Sequence, residues 1–370
     1  MIEGAGPEEL EAWTGKMWNA ALAGDEYAAA DAAMTVLDSG ITMESLLLDV
    51  IASVQARVGR EWAANRITVA EEHTATAVNE RVIAALAHHP TARDRARTQP
   101  RRGRITVACI DGEWHAMPAR LLAEVLRLRG WHVDYLGAQV PTPHLIAHLH
   151  RTDTDLVALS SSIATRLPDA HAAITACQAT GTPVLVGGAA FGADGRHARL
   201  LGADAWATDA RQAAGHLSGG PPPRPSPGRQ AIDDLPHLGD QEYTLITRSA
   251  AELVRHVMGE LERHIPEMAG YTARQRRHTA EDIAHIVSFL GAAVYLDSPE
   301  LFGDFLTWTA AILTARGVPA ATLLPALTLL GDRLSDFPRA TLMLQHGRDA
   351  LSASDDHPAR PARPAHGKPA

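Results

Sequence analysis

The sequence predicts a multidomain α and α/β protein: a helical bundle over residues 1–92, a doubly wound parallel sheet over 103–217 and an all-helical segment over 240–352. Three observations predict this. Apolar residues recur at three- and four-residue spacing before residue 92 and after residue 240. Between those stretches, β-rich runs alternate with helical runs. Two breaks rich in Arg, Pro and Gly separate the three parts.

Length and composition agree. A chain of 370 residues holds two or three domains, and 46% hydrophobic with 21% charged residues is enough to bury cores. The net charge of −9 argues against direct nucleic-acid binding, which draws on a basic excess. Two cysteines, Cys109 and Cys177, exclude a disulfide framework and a Cys-rich zinc site, and suit a reducing cytoplasm. No uninterrupted apolar stretch is long enough to span a membrane, and MIEGAGPEELEAW lacks the regions of a signal peptide. A cytoplasmic protein with no membrane partner is expected. The unusual feature is 19 His beside only two Lys, Lys16 and Lys368.

The first segment has helical spacing at 25–38, 43–59 and 67–88, with many Ala residues that let helices approach closely. A four-helix bundle is the economical packing. RDRARTQPRRGR at 93–104 reads as a solvated linker, since no aromatics interleave with its charges.

The second segment alternates. RITVACI (104–110) reads as a buried strand and PARLLAEVLRLRG (118–130) as a helix with a Gly stop. WHVDYLG, DLVALSS and TPVLVGGAA follow as strands, TPHLIAHLHR and DAHAAITACQATG as helices, and GADAWATDA carries a short fifth strand. Such a sheet binds ligands beyond the carboxyl ends of its strands.

Residues 218–239 contain SGGPPPRPSPGRQ, which fits neither a helix nor a central strand, and read as a linker. Helical runs follow at 243–264, 272–296, 299–316 and 319–335, the third opened by SPELF with Pro in its first turn. Residues 353–370 are low-complexity and read as a disordered tail. No kinase, nucleotide-loop or cyclase signature follows residue 240, so a non-enzymatic role is expected.

Three motifs fall at strand ends: Asp111-Gly112-Glu113-Trp114-His115-Ala116-Met117-Pro118, then Ser160-Ser161-Ser162, then Gly187-Gly188. A His with a carboxylate two residues before it can ligate a metal while the acid holds its other nitrogen. Small Ser and paired Gly leave a channel with hydroxyls for a buried polar ring.

This pattern resembles the cobalamin-binding domain of methionine synthase and its relatives, with Asp-x-His-x-x-Gly, Ser-x-Leu and Gly-Gly in that order. Here the first motif reads Glu113-x-His115-x-x-Pro118, the second Ser160-x-Ser162, and the third is intact. The resemblance implies a Rossmann-like sheet in which His115 is the lower axial ligand of cobalt and Glu113 its partner. It also implies that Ser160, Ser162, Gly187 and Gly188 line the pocket for the cofactor's tail.

Upstream, Trp62 is followed after nine residues by Glu72-His73, a spacing similar to the cap bundle of B12-dependent photoreceptors. That resemblance implies that Trp62, Glu72 and His73 cover the upper face of adenosylcobalamin. The family's His directly after the Trp is Ala63 here, which excludes a light-state adduct through that position.

The order of segments looks like that of the photocobilins, which bind adenosylcobalamin and biliverdin. This implies a globin-like fold for 240–352, with Arg276, Arg277, His285 and Tyr295 as candidate bilin contacts and haem as the alternative ligand. No Cys follows Cys177, so a thioether to the bilin from that segment is excluded. The implied function is a light sensor and homo-oligomer whose assembly changes when light breaks the Co–C bond, acting on a signalling partner that the sequence does not name. The alternatives are a corrinoid protein of methyl transfer and a light-independent cobalamin-sensing adaptor with a haem-binding or dimerisation domain.

Overall fold

A computed structural model describes residues 6–91, 102–225 and 235–355. The described residues fall into two compact units, one of residues 1–162 and 172–228 and one of residues 163–171 and 229–370. Most of the 93–104 linker, much of 218–239 and nearly all of the 353–370 tail lie outside the described residues.

The first unit opens with a bundle. Helix α1 (Pro7–Ala23) starts on Pro7 and stops at Gly24, whose φ of +72° closes the cap. Asp25 accepts the Ala28 N–H and starts α2 (Glu26–Asp38). A short turn, Met43–Ser45, runs into a π-helical segment, Leu46–Ile51, and then into α3 (Ala52–Ala63). A capping box between Thr68 and Glu71 starts α4 (Val69–Ala87). Helix α1 was not among the runs read from the sequence. It completes the expected set of four by packing Met17 and Trp18 into a core with Leu46, Ile51, Val54 and Ile83.

The sheet has five parallel strands in the order β2-β1-β3-β4-β5: β1 (Arg104–Cys109), β2 (His132–Gly137), β3 (Leu156–Ser160), β4 (Val184–Gly187) and β5 (Ala205–Ala207). All five predicted strands form within a few residues of their expected bounds. The helices between them are α5 (Met117–Leu128), α6 (Thr142–Thr152), α7 (Leu167–Ala179), α8 (Arg196–Leu200) and α9 (Ala210–His216). The strand order reverses between β1 and β3, and the crevice at that point is where doubly wound sheets place ligands.

Helix α5 serves two cores. Ala119, Ala123, Val125 and Leu126 pack on the sheet, while Met117, Leu121 and Leu128 enter the bundle core. Leu48 of the π segment packs the other way, against the sheet core. Charge pairs join neighbouring elements: both terminal oxygens of Glu44 lie 2.8 Å from Arg129 at the end of α5, and Arg211 of α9 donates to both oxygens of Asp49 in the π segment.

The second unit is helical: α10 (Glu242–His264), α11 (Ala273–Leu296), α12 (Pro299–Ala315), α13 (Leu324–Arg333) and α14 (Pro338–Asp355). Ser298 caps α12 ahead of Pro299, as the SPELF start predicts. Helix α14 was missed from the sequence. It packs tightly on α12, where a Cβ added at Gly347 would meet Leu306 at 2.5 Å. Phe302, Leu290, Leu330 and Met343 form the core. Helix α11 is long and apolar enough to cross a membrane by composition, but half of that stretch is buried inside the protein, as in a core helix.

Candidate functional site at the sheet's switch point

The loop after β1 turns at Gly112 (φ +72°), with the Glu113 N–H donating to the Ile110 carbonyl. The turn sends Glu113 inward and His115 outward. Glu113 is 1% exposed, whereas the His115 side chain is 55% exposed.

The buried carboxylate is fully engaged. Its Oε1 accepts the His115 backbone N–H at 2.9 Å and faces His115 Nδ1 at 2.6 Å. Its Oε2 accepts the Ser162 N–H at 2.6 Å and the Ser161 hydroxyl at 3.3 Å. Burial alone would raise the Glu113 pKa, but the hydrogen bonds from His115 and Ser162 outweigh it and hold the carboxyl at about 2. The hydrogen bond to Glu113 raises the His115 pKa against desolvation, and the charges of Glu113 and Glu72 add to the rise.

With Nδ1 held by the acid, Nε2 is the His115 nitrogen available to a metal. Among the described residues no group of three or more His, Cys, Asp or Glu is placed to hold a metal ion. His115 therefore fits a metal that arrives with its other ligands already in place, as cobalt does in a corrin.

The two serines and two glycines are sorted differently from expectation. Ser160 is buried at the end of β3, paired in register with Cys109 and Gly187. Ser162 engages Glu113 through its backbone N–H. Ser161, not singled out from the sequence, supplies the hydroxyl; the signal for it was only its place in a run of three Ser. Gly188 has φ +104°, and a Cβ there would meet the Ser161 carbonyl oxygen at 2.2 Å. A Cβ at Gly187 would meet the Ala207 carbonyl at 3.1 Å. Both glycines thus allow the β4 loop to lie against its neighbours.

Trp62 stands in the last turn of α3, half-buried and packed on the bundle core, with Ala63 after it. Glu72 and His73 lie near the start of α4 and bond one another through Glu72 Oε2 and His73 Nδ1.

The structure does not gather the four candidate bilin contacts on one face. All lie on α11. Arg276 and His285 are nine residues apart, two and a half turns, and so face opposite sides; Arg276 and Tyr295 are separated by about 28 Å of helix. Arg276 pairs with Glu262, while Arg277 and His285 are exposed. Tyr295 hydrogen-bonds His171 at 2.8 Å and stacks edge-on with Tyr243, and its carbonyl accepts from His237. The sequence offered charges and rings of suitable type, but not the helical phase that scatters them.

Comparison with known proteins points to cobalamin binding. Residues 103–215 match the family described as "B12 binding domain", and residues 14–87 match a second family of the same description. The chain is 31% identical over 186 residues to the HTH-type transcriptional repressor CarH of Myxococcus xanthus, covering 49% of this chain and 58% of the relative. It is 30% identical over 188 residues to the HTH-type transcriptional repressor CarA of the same organism, covering 49% and 59%. It thus spans about three fifths of the length of these relatives. Among solved structures, the monomethylamine corrinoid protein of Methanosarcina barkeri aligns with 56% of this chain and 97% of its own, at 15% identity and a TM-score of 0.48. A cobalamin-binding protein of Desulfitobacterium hafniense aligns with 57% and 98%, at 17% identity and a TM-score of 0.31.

These relatives overturn the expectation of no direct nucleic-acid binding. Both are HTH-type transcriptional repressors. Net charge averages over the whole chain, whereas a helix-turn-helix contacts DNA through a few side chains, so −9 does not exclude it. Residues 14–87 and 103–215 each match a B12 binding domain, and about half of the chain is similar in sequence to the repressors CarH and CarA.

Proposed function

We propose that the protein is a light sensor that binds adenosylcobalamin between the cap bundle and the switch-point edge of the sheet. The observation that carries this is the Glu113–His115 pair at the end of β1, with Oε1 and Nδ1 2.6 Å apart. His115 Nε2 would be the protein's ligand to the cobalt. Glu113 fixes the tautomer, and Ser161 and Ser162 fix Glu113. Ser160, Ser162, Gly187 and Gly188 border the path of the cofactor's tail into the sheet. Trp62 covers the upper face, where Glu72 and His73 supply the polar contacts. When bound, adenosylcobalamin supplies a cobalt–carbon bond that visible light breaks. With that group gone, Trp62, Glu72 and His73 would no longer enclose it, and the bundle would be free to change its packing and the assembly state of the protein. The relatives are regulators, which supports a signalling rather than a catalytic role.

A bilin in the second unit finds no comparable support. Its candidate contacts are scattered along α11, and the unit has five α-helices among the described residues where a globin packs eight. An open depression there is lined by Asp240, Glu242, Asp297 and Asp336, with Arg339 already paired to Asp240 and Asp297, a poor setting for propionates. His285 is exposed and offers no enclosed haem ligand.

The test is reconstitution in the dark with adenosylcobalamin, desalting, and measurement of absorbance and particle mass before and after illumination. A retained cobalamin spectrum that changes with light, together with a changed mass, supports the proposal. An adenosylcobalamin spectrum and mass that both survive illumination would sink it. Equal affinity for methylcobalamin and no change in mass would favour the methyl-transfer alternative.

A further inference from the structure

The bundle core is apolar except along one seam. Asn79 of α4 is 0% exposed among Val54, Val58, Ala75, Val78 and Val82, all buried. Its Nδ2 donates to Gln55 Oε1 at 2.9 Å. Gln55 Nε2 donates to Thr76 Oγ1 at 2.8 Å, and Thr76 Oγ1 donates to Glu72 Oε1 at 3.2 Å. Asn79 Oδ1 accepts no hydrogen bond among the described residues, so the chain begins there and ends on the Glu72 carboxylate.

An ionised carboxylate only accepts. With Glu72 at one end, the Thr76 hydroxyl has to donate to it, which leaves its lone pairs for Gln55, whose carbonyl then takes Asn79. The direction of all three bonds follows from that one charge. A part-buried chain of this kind with one unpaired oxygen does little for stability; apolar residues of the same shape can hold such a seam about equally well. What it supplies is a fixed geometry. Glu72, Thr76 and Asn79 lie on one face of α4, and Gln55 lies seven residues, about two turns, from Trp62 on one face of α3. The seam therefore sets the helix that ends in Trp62 against the helix that begins with Glu72 and His73.

We propose that Asn79, Gln55 and Thr76 are positioning residues that hold the Glu72 carboxylate in register with Trp62 and so set the preference of the cap for the adenosyl group over smaller upper ligands. This rests on the assignment of Trp62, Glu72 and His73 to the upper face of the cofactor.

The experiment measures dark affinities of the full chain for adenosylcobalamin and methylcobalamin, with Glu72→Ala as the reference variant. Thr76→Val, Gln55→Leu and Asn79→Leu are each expected to lower the adenosyl-to-methyl preference about fivefold, the worth of one hydrogen bond. Thr76→Ser is expected to keep it. A purely structural defect weakens both cobalamins alike and leaves the ratio unmoved. A ratio that falls in Glu72→Ala but stays at the wild-type value in the three seam variants overturns the positioning role while leaving the cap assignment standing. An unchanged ratio in Glu72→Ala removes the cap assignment, and the positioning role with it.

Discussion

His115 Nδ1 lies 2.6 Å from Glu113 Oε1, and that carboxylate is itself pinned from the far side by the Ser162 N–H. The arrangement orients an exposed imidazole from a buried anchor. Glu113→Gln keeps the shape but places an amide where two acceptor oxygens are required. Cobalamin affinity should fall about 10- to 100-fold, as for other outer partners of metal-bound His. His115→Ala should remove the imidazole-on signature from the absorbance spectrum. Retention of that signature in His115→Ala would show that another residue supplies the lower ligand.

The β4 loop gives a test that needs no cofactor. Gly188→Ala demands a left-handed φ and puts a methyl 2.2 Å from the Ser161 carbonyl. The strain alone costs about 1–3 kcal/mol, and the clash displaces the backbone that holds Glu113. Gly187→Ala meets the Ala207 carbonyl at 3.1 Å without a forbidden φ, and should cost less. Thermal melts of the two apoproteins should rank them in that order; equal melting temperatures would refute the close-approach argument.

These two sites mark what the sequence made legible. The five strands were visible because short apolar runs are bounded by Gly, Pro and Asp, and the strand-end location of Glu113, His115 and Gly188 followed from the alternation of strands and helices. Ser161 was not visible, because which of three adjacent serines turns toward Glu113 depends on loop conformation. Leu46–Ile51 reads as ordinary helix, since a π segment has the composition of an α-helix. Helix α1 escaped because its burial depends on partners far along the chain. The candidate bilin contacts were chosen by residue type, and the structure spreads them along and around α11. Asn79 looked like one polar residue in a helix, and only packing reveals it as fully buried.

The turn before the π segment is tied to the C-terminal end of α5 by Glu44, whose two oxygens meet Arg129 at 2.8 Å. The Arg129 side chain is 49% exposed, so screening limits the pair to about 1 kcal/mol or less. A double-mutant cycle with Glu44→Gln and Arg129→Met should give a coupling of that size at low salt, shrinking at 1 M. A coupling that persists at 1 M salt would mean the pair is shielded from solvent.

Both thiols should be silent in the native protein. Burial pushes the Cys177 thiol up to about 12; burial and then the charge of Glu113 do the same for Cys109. Neither presents a thiolate at pH 8, and neither is accessible. Alkylation at pH 8 should proceed only with unfolding, so its rate should rise with denaturant in step with loss of helical signal. Rapid labelling of one thiol without denaturant would reveal local opening at that strand or helix.

In the second unit, Arg339 joins Asp240 and Asp297 at 2.7 Å each. Burial is the largest single influence on Asp240 and opposes its ionisation, but the Glu242 N–H and Arg339 together outweigh it, and its carboxyl titrates below its ordinary value of 3.8. A carboxyl whose pKa falls on folding stabilises the folded state above its unfolded pKa and loses that effect as pH falls through the folded one. Asp240→Asn should therefore be less stable than wild type at pH 7, and the gap should close as pH drops below 3.8. The pair faces solvent, so the gap at pH 7 is about 1 kcal/mol or less. Urea denaturation at steps from pH 7 to pH 3 measures it; a gap that stays constant over that range would place the effect of the substitution in packing rather than in charge.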